Sequence, residues 1–220
     1  MSTEWSPYWQ DVSNLRWTEV DQAVLERVAN TLGWGPERSL LELGAGRGLH
    51  SKCLYEMMRC GSPDLYEVNP EMLLYMKRQG LNAIGEDAKL RRSYDIVWSY
   101  GVPEHFDDPE RQEIIDRHFE LATEWVLLVI PRATWLRSAV GRHDRIPAKD
   151  FTGPELRRRL ESGAGRHWNG LDGVEIHVES FCPLFGVRHI PAGFYNLTDR
   201  LVGWALPGGL LLGHARREIR

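Results

Sequence analysis

The chain has few cysteines, and their spacing does not suggest a disulfide framework. Its 220 residues contain three cysteines, Cys53, Cys60 and Cys182, and no two of these have C-x-x-C spacing. Small disulfide-rich domains and structural zinc sites need an even or closely spaced set of cysteines. A disulfide scaffold and a structural zinc site are therefore not expected, and the sequence predicts a reduced protein.

Targeting segments and long apolar runs are also missing. The first residues, Met1 to Trp5, contain no basic segment followed by an apolar stretch, which a secretory signal would need. The longest apolar run, 201–212, is interrupted by Pro-Gly-Gly at 207–209 and is too short to span a bilayer. We therefore expect a cytoplasmic protein without a membrane partner.

Neither sign of charge dominates. With 27 Lys and Arg against 31 Asp and Glu, the net charge is −4, so no general attraction to nucleic acid is expected. Repeats and low-complexity linkers are absent as well, and the length suits one α/β domain over residues 1–220. Within it we expect an N-terminal helical lid at 1–35 and a substrate-specificity insertion at 132–172; the sequence carries no signal for an oligomeric state.

The most informative segment is a glycine-rich turn. Residues 40–43 read as the apolar end of a buried parallel strand, and Gly44, Gly46 and Gly48 then lead into a helix over 49–59. In a dinucleotide-binding fingerprint the third glycine comes one residue later. Glu42 also lies just upstream, where an anionic phosphate would gain nothing from it. The pattern favours a nucleotide-like ligand with a cationic or hydroxylated part over a diphosphate.

Acidic residues follow the next predicted strands. Glu67, nineteen positions after Gly48, ends the second strand, where a carboxylate can accept hydrogen bonds from a ribose diol. Asp87 follows a third short apolar stretch and could accept from an exocyclic amine or cap the following turn. Residues 94–106 read as a fourth strand that opens into a loop at the same edge.

In this order, the four segments resemble those of the class I S-adenosylmethionine-dependent methyltransferases, in particular the small-molecule group. The matching motifs are E-x-G-x-G-x-G at 42–48, the acid followed by x-x-P-E-M-L at 67–73, the G-D-A-like stretch at 86–88, and D-x-V-x-S-x-G-V-x-E-H at 95–105. They cover roughly residues 20–131.

The resemblance implies a fold and a cofactor. The fold is an α/β, doubly wound, Rossmann-like sheet of seven mostly parallel strands with an antiparallel last strand and helices on both faces. The cofactor is S-adenosyl-L-methionine, which leaves as S-adenosyl-L-homocysteine. In such a site the turn would wrap the methionine part, Glu67 would hold the ribose and Asp87 would contact the adenine. The cofactor-binding residues carried over are Glu42, Gly44, Ala45, Gly46, Glu67, Val68, Met72, Asp87, Ala88, Ser99 and Tyr100.

The alternation of apolar runs predicts where the strands lie. They are expected at about 38–43, 64–68, 81–85, 94–99, 124–130, 173–181 and 208–216, with helices at 18–32 and from 155 to 161. The Pro-Gly-Gly turn before Leu210 suggests a hairpin between the sixth and last strands.

The acceptor side is less well marked. His105 and His143 are the candidate catalytic residues, and His105 leads because its loop leaves the fourth strand and imidazole titrates near neutral pH. A purely structural role for His105 is an open alternative. Candidate substrate-binding residues are the aromatic Tyr8, Trp9 and Trp17, for which packing is the alternative role, and Arg132, which could pair with an anionic acceptor. Asp107 and Asp108 are interpreted as caps of a following helix, and no metal is expected.

Three function classes follow. The leading one is transfer of a methyl group to an O, N, S or C atom of a small metabolite in a biosynthetic pathway. Macromolecule methylation is disfavoured, because Ser99-Tyr100-Gly101-Val102 stands where amino-methylating nucleic-acid enzymes carry an Asn/Asp-Pro-Pro-aromatic clamp. A protein of the same fold that catalyses another reaction, such as cyclisation, or only binds the cofactor, is the third class, because fold does not fix chemistry.

Overall fold

The computed structural model describes residues 19–33, 38–58, 62–86, 90, 93–132, 149, 151–181 and 209–218. Strands and helices alternate along them in the order α1 (Glu19–Leu32), β1 (Leu40–Leu43), α2 (Leu49–Met58), β2 (Asp64–Tyr66), α3 (Pro70–Arg78), β3 (Asn82–Ile84), β4 (Tyr94–Tyr100), a 3₁₀ helix (Pro103–His105), α4 (Glu110–Leu121), β5 (Ala122–Pro131), α5 (Gly153–His167), β6 (Val174–Phe181) and β7 (Leu210–Arg217). All seven predicted strands are present, each within two residues of its predicted bounds.

The strands form one mixed sheet in the order β3-β2-β1-β4-β5-β7-β6. Neighbours from β3 to β5 pair in parallel, whereas β7 runs antiparallel to both β5 and β6. The predicted fold class is therefore confirmed. The predicted pairing of the sixth and last strands is present as an antiparallel ladder, in which the paired residues Phe181 and Leu210 are joined by the segment 182–209.

Apolar side chains of the strands alternate between the two faces of the sheet, and each face is covered by helices. Leu40, Ile96 and Leu127 pack with α1 and α2 in one cluster. Their strand neighbours Leu41 and Val97 pack with α4 and α5 in the other. This period of two is what a strand buried on both faces imposes. None of the described helices is long and apolar enough to cross a membrane.

The strand order reverses beside β1, which pairs with β2 on one side and β4 on the other. In open parallel sheets the connections diverge at such a point and leave a crevice beyond the carboxyl ends of the strands. The glycine-rich turn follows β1 directly, so the fold places it at this crevice.

Helix α5 begins as the Gly-Pro signal predicts, but it is longer than 155–161. The Thr152 hydroxyl accepts from the Glu155 backbone N–H (3.3 Å), and the helix runs from Gly153 to His167. The capping role expected of Asp107 and Asp108 was wrong, since the N-cap position of α4 is occupied by Pro109, which makes no side-chain cap hydrogen bond. The reason is a stronger partner: the Asp108 carboxylate accepts two hydrogen bonds from Arg159 on α5.

Candidate functional site

The glycine-rich turn is folded tightly against its surroundings. The backbone N–H groups of Gly44 and Ala45 both donate to the Tyr66 carbonyl, at 2.9 and 3.0 Å. Gly44 has φ +72°, and a Cβ there would lie 2.6 Å from Val102 Cγ2. At Gly48, with φ +70°, a Cβ would lie 2.6 Å from Leu65 Cδ1. Both positions therefore need glycine, because of backbone conformation and close packing.

Glu67 fastens the turn to the end of β2. Its Oε2 accepts from the Gly46 N–H (2.7 Å), and its Oε1 accepts from the N–H groups of Val68 and Asn69 (both 2.8 Å). The side chain is 4% exposed. An ionised carboxylate has about four acceptor positions, so three backbone bonds leave roughly one for a ligand. The structure thus brings Glu67, Val68 and Gly46 together, as the sequence predicts.

The next segment is ordered by a helix cap. The Asn69 side chain accepts from the N–H groups of Glu71 (2.9 Å) and Met72 (3.2 Å), and Pro70 occupies the first position of α3. These are the preferred residues for a helix start. The cap holds Met72, which is 7% exposed, at the same edge as Glu67.

Glu42 is a buried acid with unused hydrogen-bonding capacity. Its side chain lies on the α1 and α2 face, is 1% exposed, and interacts with Ser51, which in turn accepts from Trp98 Nε1 (2.9 Å). Glu42 Oε2 has no hydrogen-bond partner among the described residues. Burial raises the pKa of Glu42 to about 7, against the opposing effects of His50 and Ser51. A cation or donor at this oxygen would stabilise the ionised form.

Two residues near Glu42, His50 and Asp21, were not predicted from the sequence. His50 Nε2 lies 3.1 Å from Asp21 Oδ1 of α1, and the His50 ring meets Tyr100 edge-on with centroids 4.9 Å apart. Burial lowers the pKa of His50, but the Asp21 hydrogen bond and the Glu42 and Asp21 charges outweigh it and raise the pKa. The only sequence signal for His50 is its place two residues after Gly48; nothing local marks Asp21.

Ser99 and Tyr100 fall on opposite faces of β4. Tyr100 lies on the Glu42 side, whereas the Ser99 hydroxyl is buried on the other side, 2.9 Å from His118 Nε2. His118 Nδ1 donates to the Ile114 carbonyl (2.8 Å), so Nε2 accepts from Ser99. Burial lowers the pKa of His118 to about 4, which keeps it neutral. The Ser99 hydroxyl is therefore committed to the interior, and only its backbone remains as a predicted cofactor contact.

His105 and Arg132 follow the carboxyl ends of neighbouring strands. His105 ends the 3₁₀ helix after β4, its side chain is 15% exposed, and its Nε2 lies 3.8 Å from Glu104 Oε1. Arg132 donates its backbone N–H to Gly209 (2.9 Å) and forms a parallel bridge with Phe151. The catalytic role of His105 and the binding role of Arg132 stay predictions.

Several solved structures that share this fold are methyltransferases or putative methyltransferases. A S-adenosylmethionine-dependent methyltransferase from Archaeoglobus fulgidus superposes with a TM-score of 0.64 at 17% identity, covering 96% of this chain and 99% of that one. Magnesium protoporphyrin IX methyltransferase from Synechocystis, with bound S-adenosylhomocysteine, gives 0.62 at 14%, covering 96% and 93%. A Haloferax volcanii putative methyltransferase, solved with the Trm112 activator, gives 0.62 at 14%, covering 98% and 96%.

The chain has the class I S-adenosylmethionine-dependent methyltransferase fold. At these identities the similarity establishes the fold alone. No protein-family model matches the sequence, and no curated protein is significantly similar to it.

Part of the predicted methyltransferase site lies outside the described residues. The residues concerned are Tyr8, Trp9, Trp17, Asp87, Ala88 and His143, whose roles stay predictions. Among the residues the structure does describe, no three His, Cys, Asp or Glu side chains converge to hold a metal ion.

Proposed function

We propose that the protein is a S-adenosylmethionine-dependent methyltransferase that transfers a methyl group to an O, N, S or C atom of a small metabolite. One observation carries the proposal: a glycine turn at the switch point of the sheet is held by Glu67 and flanked by the buried Glu42 Oε2, which finds no partner in the described part of the chain.

The turn fits this cofactor better than a dinucleotide. A pyrophosphate site depends on free backbone N–H groups, but the Gly46 N–H already donates to Glu67. The charge of Glu67 is close enough to Glu42 to contribute to the raised pKa of Glu42. Negative charge at this edge repels a diphosphate and attracts the ammonium and sulfonium groups of S-adenosylmethionine. We assign Glu42 to the cationic end and the remaining acceptor position of Glu67 to the ribose.

The chemistry asks little of the protein beyond placement. S-adenosylmethionine, when bound, supplies a methyl group on a positively charged sulfur. Holding two reactants in line removes several kcal/mol of entropic barrier, on the order of 7–11 in the best cases. A base is needed only for a protonated acceptor. We assign that role to His105, whose imidazole lies beside Glu104 after β4.

A small acceptor is supported by the segment after β4. Gly101 has φ +71°, and Val102 packs against Gly44 where nucleic-acid amino-methyltransferases would carry their aromatic clamp. The Synechocystis relative is named for a porphyrin acceptor. Arg132, beyond β5, is the residue we assign to an anionic group of the acceptor.

Two measurements test the proposal. Calorimetry should show binding of S-adenosylmethionine and S-adenosylhomocysteine and little binding of NAD⁺; the reverse preference would overturn it. Labelled S-adenosylmethionine is then incubated with the protein and separate metabolite, RNA and protein fractions of a cell extract. Label in the metabolite fraction supports a small acceptor, label in RNA or protein contradicts it, and cofactor binding with no labelled product in any fraction favours a non-methylating protein.

A further inference from the structure

A buried arginine lies behind the loop that joins β4 to α4. Arg111 is 5% exposed, although it occupies the first turn of α4, where the helix dipole favours acids. Its Nε donates to the Phe106 carbonyl (2.9 Å), but its Nη2 has no hydrogen-bond partner among the described residues. Burying a guanidinium with an unmatched N–H destabilises a folded protein. Stability alone therefore does not explain Arg111.

Arg111 belongs to a group of five side chains that we call the arginine clamp: Asp108, Arg111, Phe151, Glu155 and Arg159. Arg159 donates to both oxygens of Asp108, at 2.9 and 3.0 Å. Glu155 Oε1 accepts from Arg159 (3.1 Å) and from Arg111 (3.4 Å). Both guanidinium groups lie over the Phe151 ring, 4.5 Å away for Arg111 and 6.0 Å for Arg159.

The clamp joins two parts of the site that are far apart in sequence. The loop from Gly101 to Pro109 packs at its start against the glycine turn, through Val102 and Gly44. At its end it is held by the clamp, at Phe106 and Asp108. On the other side, Phe151 of the clamp pairs with the backbone of Arg132. His105 lies between the two attachments of the loop.

We infer that Arg111 is a positioning residue: through the clamp it sets the spacing between the cofactor turn and the acceptor side by fixing the loop that carries Glu104 and His105. The inference rests on the proposed function and extends it to a residue that touches neither ligand. Fixed spacing is what an in-line transfer requires, because a displacement of about 1 Å can lower the rate on the order of 10²-fold.

The test compares Arg111→Met with Arg166→Met. Met keeps most of the Arg111 chain but loses the guanidinium. Arg166 is the matched control, since it also joins α5 to α4, through Asp116 (2.9 Å), but is 49% exposed and lies outside the clamp. We measure amide hydrogen exchange, affinity for S-adenosylhomocysteine, and label transfer from S-adenosylmethionine to the metabolite fraction.

For Arg111→Met we expect exchange at the His105 and Phe106 amides to rise about tenfold or more, with little change in α4 and β5. The maximal transfer rate should fall at least about tenfold, while the Michaelis constant for S-adenosylmethionine and the affinity for S-adenosylhomocysteine change less than about threefold. Arg166→Met should behave as wild type. Unchanged loop exchange and transfer would overturn the inference, as would exchange raised equally in all elements, which indicates a structural role alone.

A second variant covers the case in which Arg111→Met does not fold. Asp108→Asn weakens the clamp at a carboxylate that is 66% exposed, and the same loop-specific rise in exchange is expected, at least about threefold. A folded Asp108→Asn protein with wild-type exchange and transfer would contradict the inference. Wild-type protein that transfers no methyl group would instead overturn the proposed function, and the exchange measurement would still decide whether the clamp holds the loop.

Discussion

Replacing Glu42 by Gln should increase the stability of the fold and weaken cofactor binding, because burial disfavours the charge of the Glu42 side chain. Glu42 is 1% exposed, and one of its carboxylate oxygens has no hydrogen-bond partner within the residues that the structure describes. In the folded protein its pKa is raised to about 7 by burial, compared with 4.5 in a solvated chain. Gln keeps the shape of the side chain but cannot ionise, so it removes the burial of a charge and also removes the attraction for a cationic ligand.

The sign of the pH dependence follows from the direction of the pKa shift. Below pH 4.5 the Glu42 carboxyl is protonated in both the folded and the unfolded chain and its ionisation contributes nothing. As the pH rises to 7, the unfolded chain releases the proton first, so the free energy of unfolding falls. One pKa unit corresponds to about 1.4 kcal/mol, and the raised pKa therefore predicts a loss of roughly 3 kcal/mol that is complete above pH 7.

Chemical denaturation of wild type and Glu42→Gln at pH 5 and pH 8 measures this directly. The stability of the variant relative to wild type should increase by roughly 2–3 kcal/mol between the two pH values. Glu56→Gln, an exposed acid on α2, is the control and should show no such increase. Calorimetry at pH 8 should show that Glu42→Gln weakens S-adenosylmethionine binding about tenfold or more. An equal stability difference at both pH values would show that Glu42 is already ionised in the folded protein, and the burial argument would fail.

Four further substitutions test other parts of the site. Glu67→Ala leaves three backbone N–H groups without their acceptor, so denaturation should show a loss of about 1–3 kcal/mol in the free energy of unfolding, and Glu67→Gln should lose less. Calorimetry on the Ala variant should show at least tenfold weaker S-adenosylhomocysteine binding, and an unchanged dissociation constant would contradict the ribose role. His105→Ala should lower turnover by roughly 10²–10⁴-fold with little change in cofactor affinity, and wild-type turnover on the true acceptor would exclude a catalytic role. Arg132→Ala should raise the Michaelis constant for an anionic acceptor with turnover retained, and an unchanged constant would place the anchor elsewhere. Gly44→Ala should destabilise the fold by more than about 1 kcal/mol, because the new methyl group meets Val102 and the backbone has a positive φ. Adding Val102→Ala should recover only the stability lost to the close contact, and full recovery would show that backbone conformation is unimportant there.

The fold and the glycine-rich turn were predictable because their signals are local. A strand buried on both faces must be a short apolar run, and the run ending at Leu43 followed by Gly44 and Gly48 admits few other backbones. Glu67 was predictable for the same reason, since an acid at a strand end points into the crevice beyond it. Its threefold backbone bonding was not, because that depends on how β2 meets the turn.

Predictions failed where the partner of a side chain comes from a distant helix. Asp108 has the local features of a cap, but Arg159, 51 residues later, takes both of its oxygens. His50 is paired with Asp21 on α1, which raises the pKa of the imidazole, and no sequence motif marks Asp21. The division between Ser99 and Tyr100 could have been foreseen, because adjacent residues of a strand face opposite sides of the sheet.

The position of β7 has a consequence for how the chain assembles during synthesis. β6 pairs with β7, and β7 is also the partner that joins β6 to β5. A growing chain that ends before Leu210 holds β6 but lacks the strand that connects it to the sheet. Until residues 210–217 emerge, β5 and β6 both present open edges that can pair with other chains. Completion of the sheet therefore depends on its last strand, and newly made chains would be most prone to aggregate just before that strand appears.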